Sequence, residues 1–249
     1  MAESVLKRKL EQGQPVVVVS GENHPDVIDH LGPLGFDAAW VDTEHGPFTW
    51  KDLSDISRAC DLWGMQSLVR VTTNDPPTIM RTLDRGISGV VVPHVNTKEE
   101  AQRVVDGAKY HPIGHRGVGG ARQGYGKPDY IHRANDETFL VAMIEDIVAV
   151  NNLPEILTVE HIDVFFIARH DLAQSMGHLG QPGHPEVIEA ADRALAQIVD
   201  AGRIAGSTAS TDTIEQQLDK GLRFLMISWL DWVRKAGAEY LDKVKAYKS

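Results

Sequence analysis

Eight short apolar runs, separated by amphipathic helical patterns and spread over 249 residues, predict a single (β/α)8 barrel with residues 1–249 as one domain. Three observations carry that reading. The runs are continuously apolar rather than alternating, as parallel strands covered on both faces are. Helical patterns fill the intervals between them. No Gly-x-Gly-x-x-Gly follows the first run, which argues against a doubly wound dinucleotide fold with the same alternation.

The runs are Val16 to Val19, Ala38 to Val41, Ser67 to Val71, Gly89 to Val92, Phe139 to Ile144, Val164 to Ile167, Ile204 to Ser207 and Phe224 to Ile227. Between the second and third, Leu53, Ile56, Cys60 and Trp63 fall three or four apart, as Val187, Ala191, Leu195 and Ile198 do later. Both sets give a helix one apolar face. Thr97-Lys98-Glu99-Glu100 has capping-box spacing, and Gly86, Gly202 and Gly221 stand where helices should stop. The interval from Val92 to Phe139 exceeds one crossover and holds Gly114-His115-Arg116-Gly117-Val118-Gly119-Gly120-Ala121-Arg122. A glycine-rich loop of that length is expected to bind something. A last helix, Leu230 to Tyr247, carries Val233, Ala236, Tyr240 and Val244 on one face, which is expected to pack on a neighbouring subunit or be exchanged with it.

A chain that is 42% hydrophobic and 24% charged can bury one sizeable core. Its formal charge of -10 argues against a nucleic-acid partner, which requires a basic surface to displace counterions. No apolar run reaches membrane-spanning length, and Lys7, Arg8 and Lys9 interrupt any secretory core. Cys60 is the single cysteine, so no intramolecular disulfide forms and a reducing cytoplasm is expected.

The chemistry is expected at the strand ends. In a barrel of parallel strands, residues just past the carboxyl ends face one shared mouth. The second run ends in Asp42-Thr43-Glu44-His45-Gly46-Pro47, the third at Arg70, the fifth in Glu145-Asp146, the sixth in Arg169-His170-Asp171 and the seventh at Ser207. His170, Asp171 and Ser207 are candidate substrate contacts with Arg70. Glu145 and Asp171, 26 residues apart on successive strands, are placed to grip one hard cation through oxygen. One cysteine and scattered histidines supply no structural zinc set. No strand end carries a lysine, which argues against Schiff-base chemistry. Of the remaining histidines, His94 follows Pro93 at a strand end, and those in turns read as solvated.

Together these residues resemble the HpcH/HpaI family of metal-dependent pyruvate aldolases. The motifs that carry the resemblance are Asp42-Thr43-Glu44-His45-Gly46, Leu68-Val69-Arg70, Leu83-Asp84-Arg85-Gly86 and Gly114-His115-Arg116-Gly117-Val118-Gly119, followed by Ile144-Glu145, Asp171-Leu172-Ala173-Gln174-Ser175-Met176-Gly177 and Gly183-His184-Pro185-Glu186. The resemblance implies a 2-oxo acid on a divalent ion held by Glu145 and Asp171, with Mg2+, Mn2+ or Co2+ as candidates. It also implies that Arg70 contacts the keto oxygen and that His45 moves the proton. Imidazole suits that task because it titrates near pH ~6.5 when unperturbed. Asp42 and Asp84 are the candidate orienters of His45, Asp84 from a neighbouring subunit of a homo-oligomer, usually a hexamer.

The implied reaction joins pyruvate, or a close 2-oxo acid, reversibly to an aldehyde. Oxaloacetate decarboxylation at the same site and a non-catalytic 2-oxo-acid-binding barrel are the alternatives. Two departures bear on substrate preference. Ala168-Arg169-His170-Asp171-Leu172 stands where the family commonly reads Gly-Pro-x-Asp-Leu, and Met143-Ile144-Glu145 where it reads Gln-x-Glu.

Overall fold

The apolar runs become strands because β-branched and aromatic residues fill them and polar or turn residues stop them. In the computed structural model, which describes residues 4–248, the eight strands close in chain order into one parallel barrel. They are β1 (Val16–Ser20), β2 (Ala38–Asp42), β3 (Gln66–Arg70), β4 (Gly89–Val92), β5 (Phe139–Ile144), β6 (Val164–Ile167), β7 (Ala205–Thr208) and β8 (Phe224–Ser228). Closure is made by β8 on β1, paired from Val16↔Phe224 to Ser20↔Ser228.

Helix α1 (Val5–Glu11) precedes the barrel. The outer layer follows with α2 (Pro25–Leu31), α3 (Trp50–Leu62), α4 (Pro76–Asp84), α5 (Lys98–Ala108), α6 (Tyr130–Glu137), α7 (Ile147–Ile156), α8 (Arg169–Ser175), α9 (Pro185–Asp200), α10 (Ile214–Asp219) and α11 (Trp229–Lys248). Thr97 caps α5 by accepting the Glu100 N–H at 3.2 Å. Gly86, Gly202 and Gly221 end their helices with φ of 98°, 69° and 94°, a region that costs other residues a Cβ clash.

The long interval before β5 is organised differently from the expected binding loop. It holds α5, α6 and a short 3-10 turn at Arg122–Gly124. Because α5 runs away from the mouth, the glycine-rich segment lies toward the amino-terminal face, with Gly117 against Met80 and Gly119 near Asp84. It does not cover this subunit's own mouth.

Inside the barrel, inward positions alternate along each strand: Val16 and Val18, Ala38 and Trp40, Phe139, Val141 and Met143, Val164 and Phe166. Leu6 and Leu10 of α1 join this cluster and close the amino-terminal end. Toward the other end, Trp40 and Phe166 have ring centroids 5.1 Å apart, and Phe166 meets Phe224 edge-on at 6.2 Å. The start of helix α11 is tied to the barrel: Trp229 Nε1 donates to Asn23 Oδ1 at 3.1 Å, and Trp232 stacks on Phe36. Beyond that, Val233, Tyr240, Leu241, Val244 and Tyr247 stand exposed.

Phe166 is 1% exposed and couples the interior to the floor of the mouth. Phe166→Ala is expected to cost about 3–5 kcal/mol of unfolding free energy, because the packed barrel cannot collapse into the cavity. Urea unfolding of the two proteins checks this.

Candidate active site

Strand register assembles the first charged group. Asp42 lies directly opposite Arg70 in the β2–β3 ladder. Arg70 Nε donates to Asp42 Oδ1 at 3.0 Å, Arg70 Nη2 donates to Asp42 Oδ2, and Nη1 lies 3.2 Å from Glu44 Oε2. Asp42 Oδ1 also accepts the backbone N–H groups of Glu44 at 3.0 Å and His45 at 3.2 Å, which fixes the turn after β2. Burial alone would raise the Asp42 carboxyl; Arg70 and the two amides outweigh it and hold the pKa below the ordinary value. The same acids outweigh burial at Arg70 and secure its charge. Arg70 is therefore a fixed cation clamped from two sides.

Glu145 follows β5 and is only 1% exposed. Its Oε1 accepts the His94 backbone N–H at 2.8 Å, while His94 Nδ1 lies 2.9 Å from Asp146 Oδ2 and 3.6 Å from Glu145 Oε1. His94 adopts a left-handed backbone with φ 51°, a strained choice for this residue type that aims its N–H at the carboxylate. Burial pushes the Glu145 carboxyl up to about 7; His94 opposes the rise, and the negative charges of Asp171 and Glu44 add to it. Burial disfavours a charged His94 ring, but Asp146 and Glu145 outweigh that and raise its pKa.

A cavity of about 390 Å³ opens at the carboxyl ends of the strands, and Asp42 and Arg70 line it. Trp40, Met143, Phe166 and Met226 contribute its apolar lining, and Asp42, His45, Arg70, Arg169, His170 and Asp171 its charged and imidazole groups. The Asp171 carboxylate makes no hydrogen bond or ion pair with another described residue. A strand-end Arg–Asp pair, an imidazole and two further acids around one barrel mouth is the constellation the motifs anticipated.

The sequence profile of the HpcH/HpaI aldolase/citrate lyase family matches residues 16–228, the whole barrel from β1 to β8. This chain belongs to that family. The hydroxypyruvate/pyruvate aldolase of Cupriavidus necator is 38% identical over 229 residues, covering 88% of this chain and 85% of that protein. The 4-hydroxy-2-oxo-heptane-1,7-dioate aldolase of Shigella flexneri is 34% identical over 231 residues, covering 90% and 86%. The crystal structure of an HpcH/HpaI aldolase from Desulfitobacterium hafniense superposes with a TM-score of 0.89 at 28% identity, covering 98% of this chain and 97% of that one.

Within this HpcH/HpaI barrel, Asp42, His45, Arg70, His170 and Asp171 line the mouth and Glu145 is buried beside it. The expectation that Asp42 orients the His45 ring is corrected. Its carboxylate is committed to Arg70 and to the turn amides, and the acid beside the imidazole is Glu44, with Oε2 at 4.0 Å from Nε2. Asp84 ends α4, which leads to the amino-terminal end of β4, and pairs with buried Arg116 at 2.8 Å. It is remote from the mouth of its own subunit. Ser207 is also corrected: it faces outward beside Ile188 and Leu195 of α9 and donates to the Ile167 carbonyl at 2.8 Å. Thr208 takes the mouth position on β7.

Glu145 and Asp171 fit a hard divalent ion. Both offer oxygen, the Asp171 carboxylate is uncommitted, and a cation between them would offset the burial that chiefly raises Glu145 and the charge of Asp171 that adds to it. A second set, His178, His184 and Glu186, brings ligand atoms within 4.8 Å of one another. There the two imidazoles stack face to face at 3.6 Å, and His184 Nδ1 accepts the Glu186 N–H as the cap of α9. In-plane lone pairs of parallel rings do not converge on one ion, so this set serves the helix start.

Metal-free protein should show the cost of Glu145. Unfolded, the carboxyl ionises near 4.5; folded, it keeps its proton to about 7. The folded state therefore binds the extra proton between those values, and stability falls as pH rises through them, by roughly 3 kcal/mol at most. Glu145→Gln removes that loss. Urea unfolding of chelator-treated protein at pH 5 and pH 8 should show a larger fall for wild type than for the variant; equal falls would contradict it.

Proposed function

We propose that this aldolase catalyses the reversible cleavage of 4-hydroxy-2-oxo acids to pyruvate, or a close 2-oxo acid, and an aldehyde. The observation that carries the proposal is the convergence of a doubly clamped arginine and the Glu145–Asp171 pair on one mouth, in a chain of this family. The family is divalent-metal dependent. Glu145 and Asp171 would hold the ion, with Mg2+ or Mn2+ the natural choices for two carboxylates and Co2+ a third. When bound, it supplies Lewis-acid polarisation of the 2-oxo group.

The protein's own groups account for the remaining work. Asp42 and Glu44 hold the guanidinium of Arg70 in place, so it can meet the charge that develops on the keto oxygen without reorganising. His45, with its side chain 68% exposed at the edge of the cavity, is free to approach the 4-hydroxyl. It takes that proton as the C3–C4 bond breaks, the bonding electrons pass toward C3 and the keto oxygen, and the aldehyde leaves. Return of the proton to C3 completes the 2-oxo acid. The apolar lining of Trp40, Met143 and Phe166 limits water at the carbon that carries the charge.

The assembly we propose is a homo-oligomer, a hexamer by resemblance, in a reducing cytoplasm. The exposed apolar face of α11 and the location of Asp84, away from its own mouth, both support subunit contacts. In such an assembly Asp84 would act on His45 of an adjacent subunit. Among the described residues, no helix is long and apolar enough to cross a membrane.

Pyruvate incubated in D2O with the metal-loaded enzyme should exchange its C3 protons, and His45→Ala should slow that exchange by about 100-fold or more, the usual contribution of a positioned acid–base group. Chelation followed by dialysis should abolish aldol turnover, and full activity afterwards would overturn the mechanism. Borohydride added with pyruvate should leave the protein mass unchanged, because no strand-end lysine is present to form an imine.

A further inference from the structure

Arg169 is the arginine of the mouth that no acid neutralises. It opens α8 directly after β6 and lines the cavity beside Asp171. Among the described residues its guanidinium makes no hydrogen bond and no ion pair. The other arginine of the cavity, Arg70, is clamped by Asp42 and Glu44. Arg169 also borders the crevice between α8 and α9, where the acid is Asp192; both oxygens of Asp192 are taken by Lys220 Nζ at 2.8 Å. A cation in the first turn of a helix meets the positive end of the dipole, so Arg169 costs stability where it stands rather than adding it.

A half-buried, unpaired guanidinium lining a catalytic cavity calls for an anion from outside the chain, and its planar fork matches a carboxylate. Its place decides which carboxylate. Asp171, half of the proposed metal pair, lines the mouth alone, whereas Arg169 lines both the mouth and the crevice against α9. The carboxylate it meets is therefore at the end of the substrate remote from the 2-oxo group.

We propose that Arg169 is the specificity residue of this aldolase and that it selects acceptor aldehydes bearing a terminal carboxylate. The inference rests on the aldolase reading above and deepens it, by naming the charge of the second substrate and the side chain that reads it.

The test compares aldol addition of pyruvate to matched aldehydes by the metal-loaded enzyme: glyoxylate against glycolaldehyde, and succinate semialdehyde against butanal. Wild type should favour the charged member of at least one pair. Arg169→Ala should lower the charged-to-neutral ratio of kcat/KM by about 10- to 100-fold, the loss expected for a charge-assisted pair, and Arg169→Lys should restore part of it. A ratio that moves less than twofold, or an equal fall for charged and neutral aldehydes, would overturn the proposal. Absence of product from wild type with every aldehyde would instead remove the aldolase reading and this inference with it. Product formation without charge preference would remove the inference alone.

Discussion

The register of one ladder governs the site. Because Asp42 stands opposite Arg70, the guanidinium is held by a strand neighbour rather than by a loop, and Glu44 closes on it from the turn that Asp42 itself organises. A slip of one residue between β2 and β3 would send one of the pair to the helix-facing side, because side chains alternate. The barrel's closure prevents that slip, since each strand's register is fixed by both neighbours. The apolar interior beneath, from Leu6 to Phe166, makes that closure rigid.

The second half of the site is built against stability. Glu145 is a buried acid beside other acids, and His94 adopts a strained backbone to reach it. Burying a carboxyl among other acids is costly to the fold, so the arrangement makes physical sense as a place kept ready for positive charge. Arg169 carries the opposite imbalance on the same rim. The mouth thus holds an excess of negative charge at Glu145 and Asp171 and an unpaired positive charge at Arg169.

Much of this was legible in the sequence, for identifiable reasons. Continuous apolar runs located all eight strands, since burial on both faces leaves no polar alternation to confuse them. Asp42, His45, Arg70, His170 and Asp171 line the mouth as expected because strand ends of such a barrel converge. Ser207 departs from expectation by parity: the run in the sequence spans Ile204 to Ser207, the strand is Ala205–Thr208, and one residue exchanges mouth for helix side. The destination of the glycine-rich segment was hidden because it depends on the direction in which α5 leaves the mouth, which local composition does not encode. The partnership of His94 with Glu145 spans 51 residues and depends on tertiary placement, which local pattern does not encode. A left-handed histidine after Pro93 leaves no trace in composition.

The claim on which the account turns is that Glu145 and Asp171 share one divalent ion. Titration with Mn2+ followed by electron paramagnetic resonance measures that directly, without reliance on turnover. The account predicts one bound ion per subunit at neutral pH in wild type and a large loss of affinity in both Glu145→Gln and Asp171→Asn, each variant folded by circular dichroism. Undiminished binding in either folded variant would contradict it.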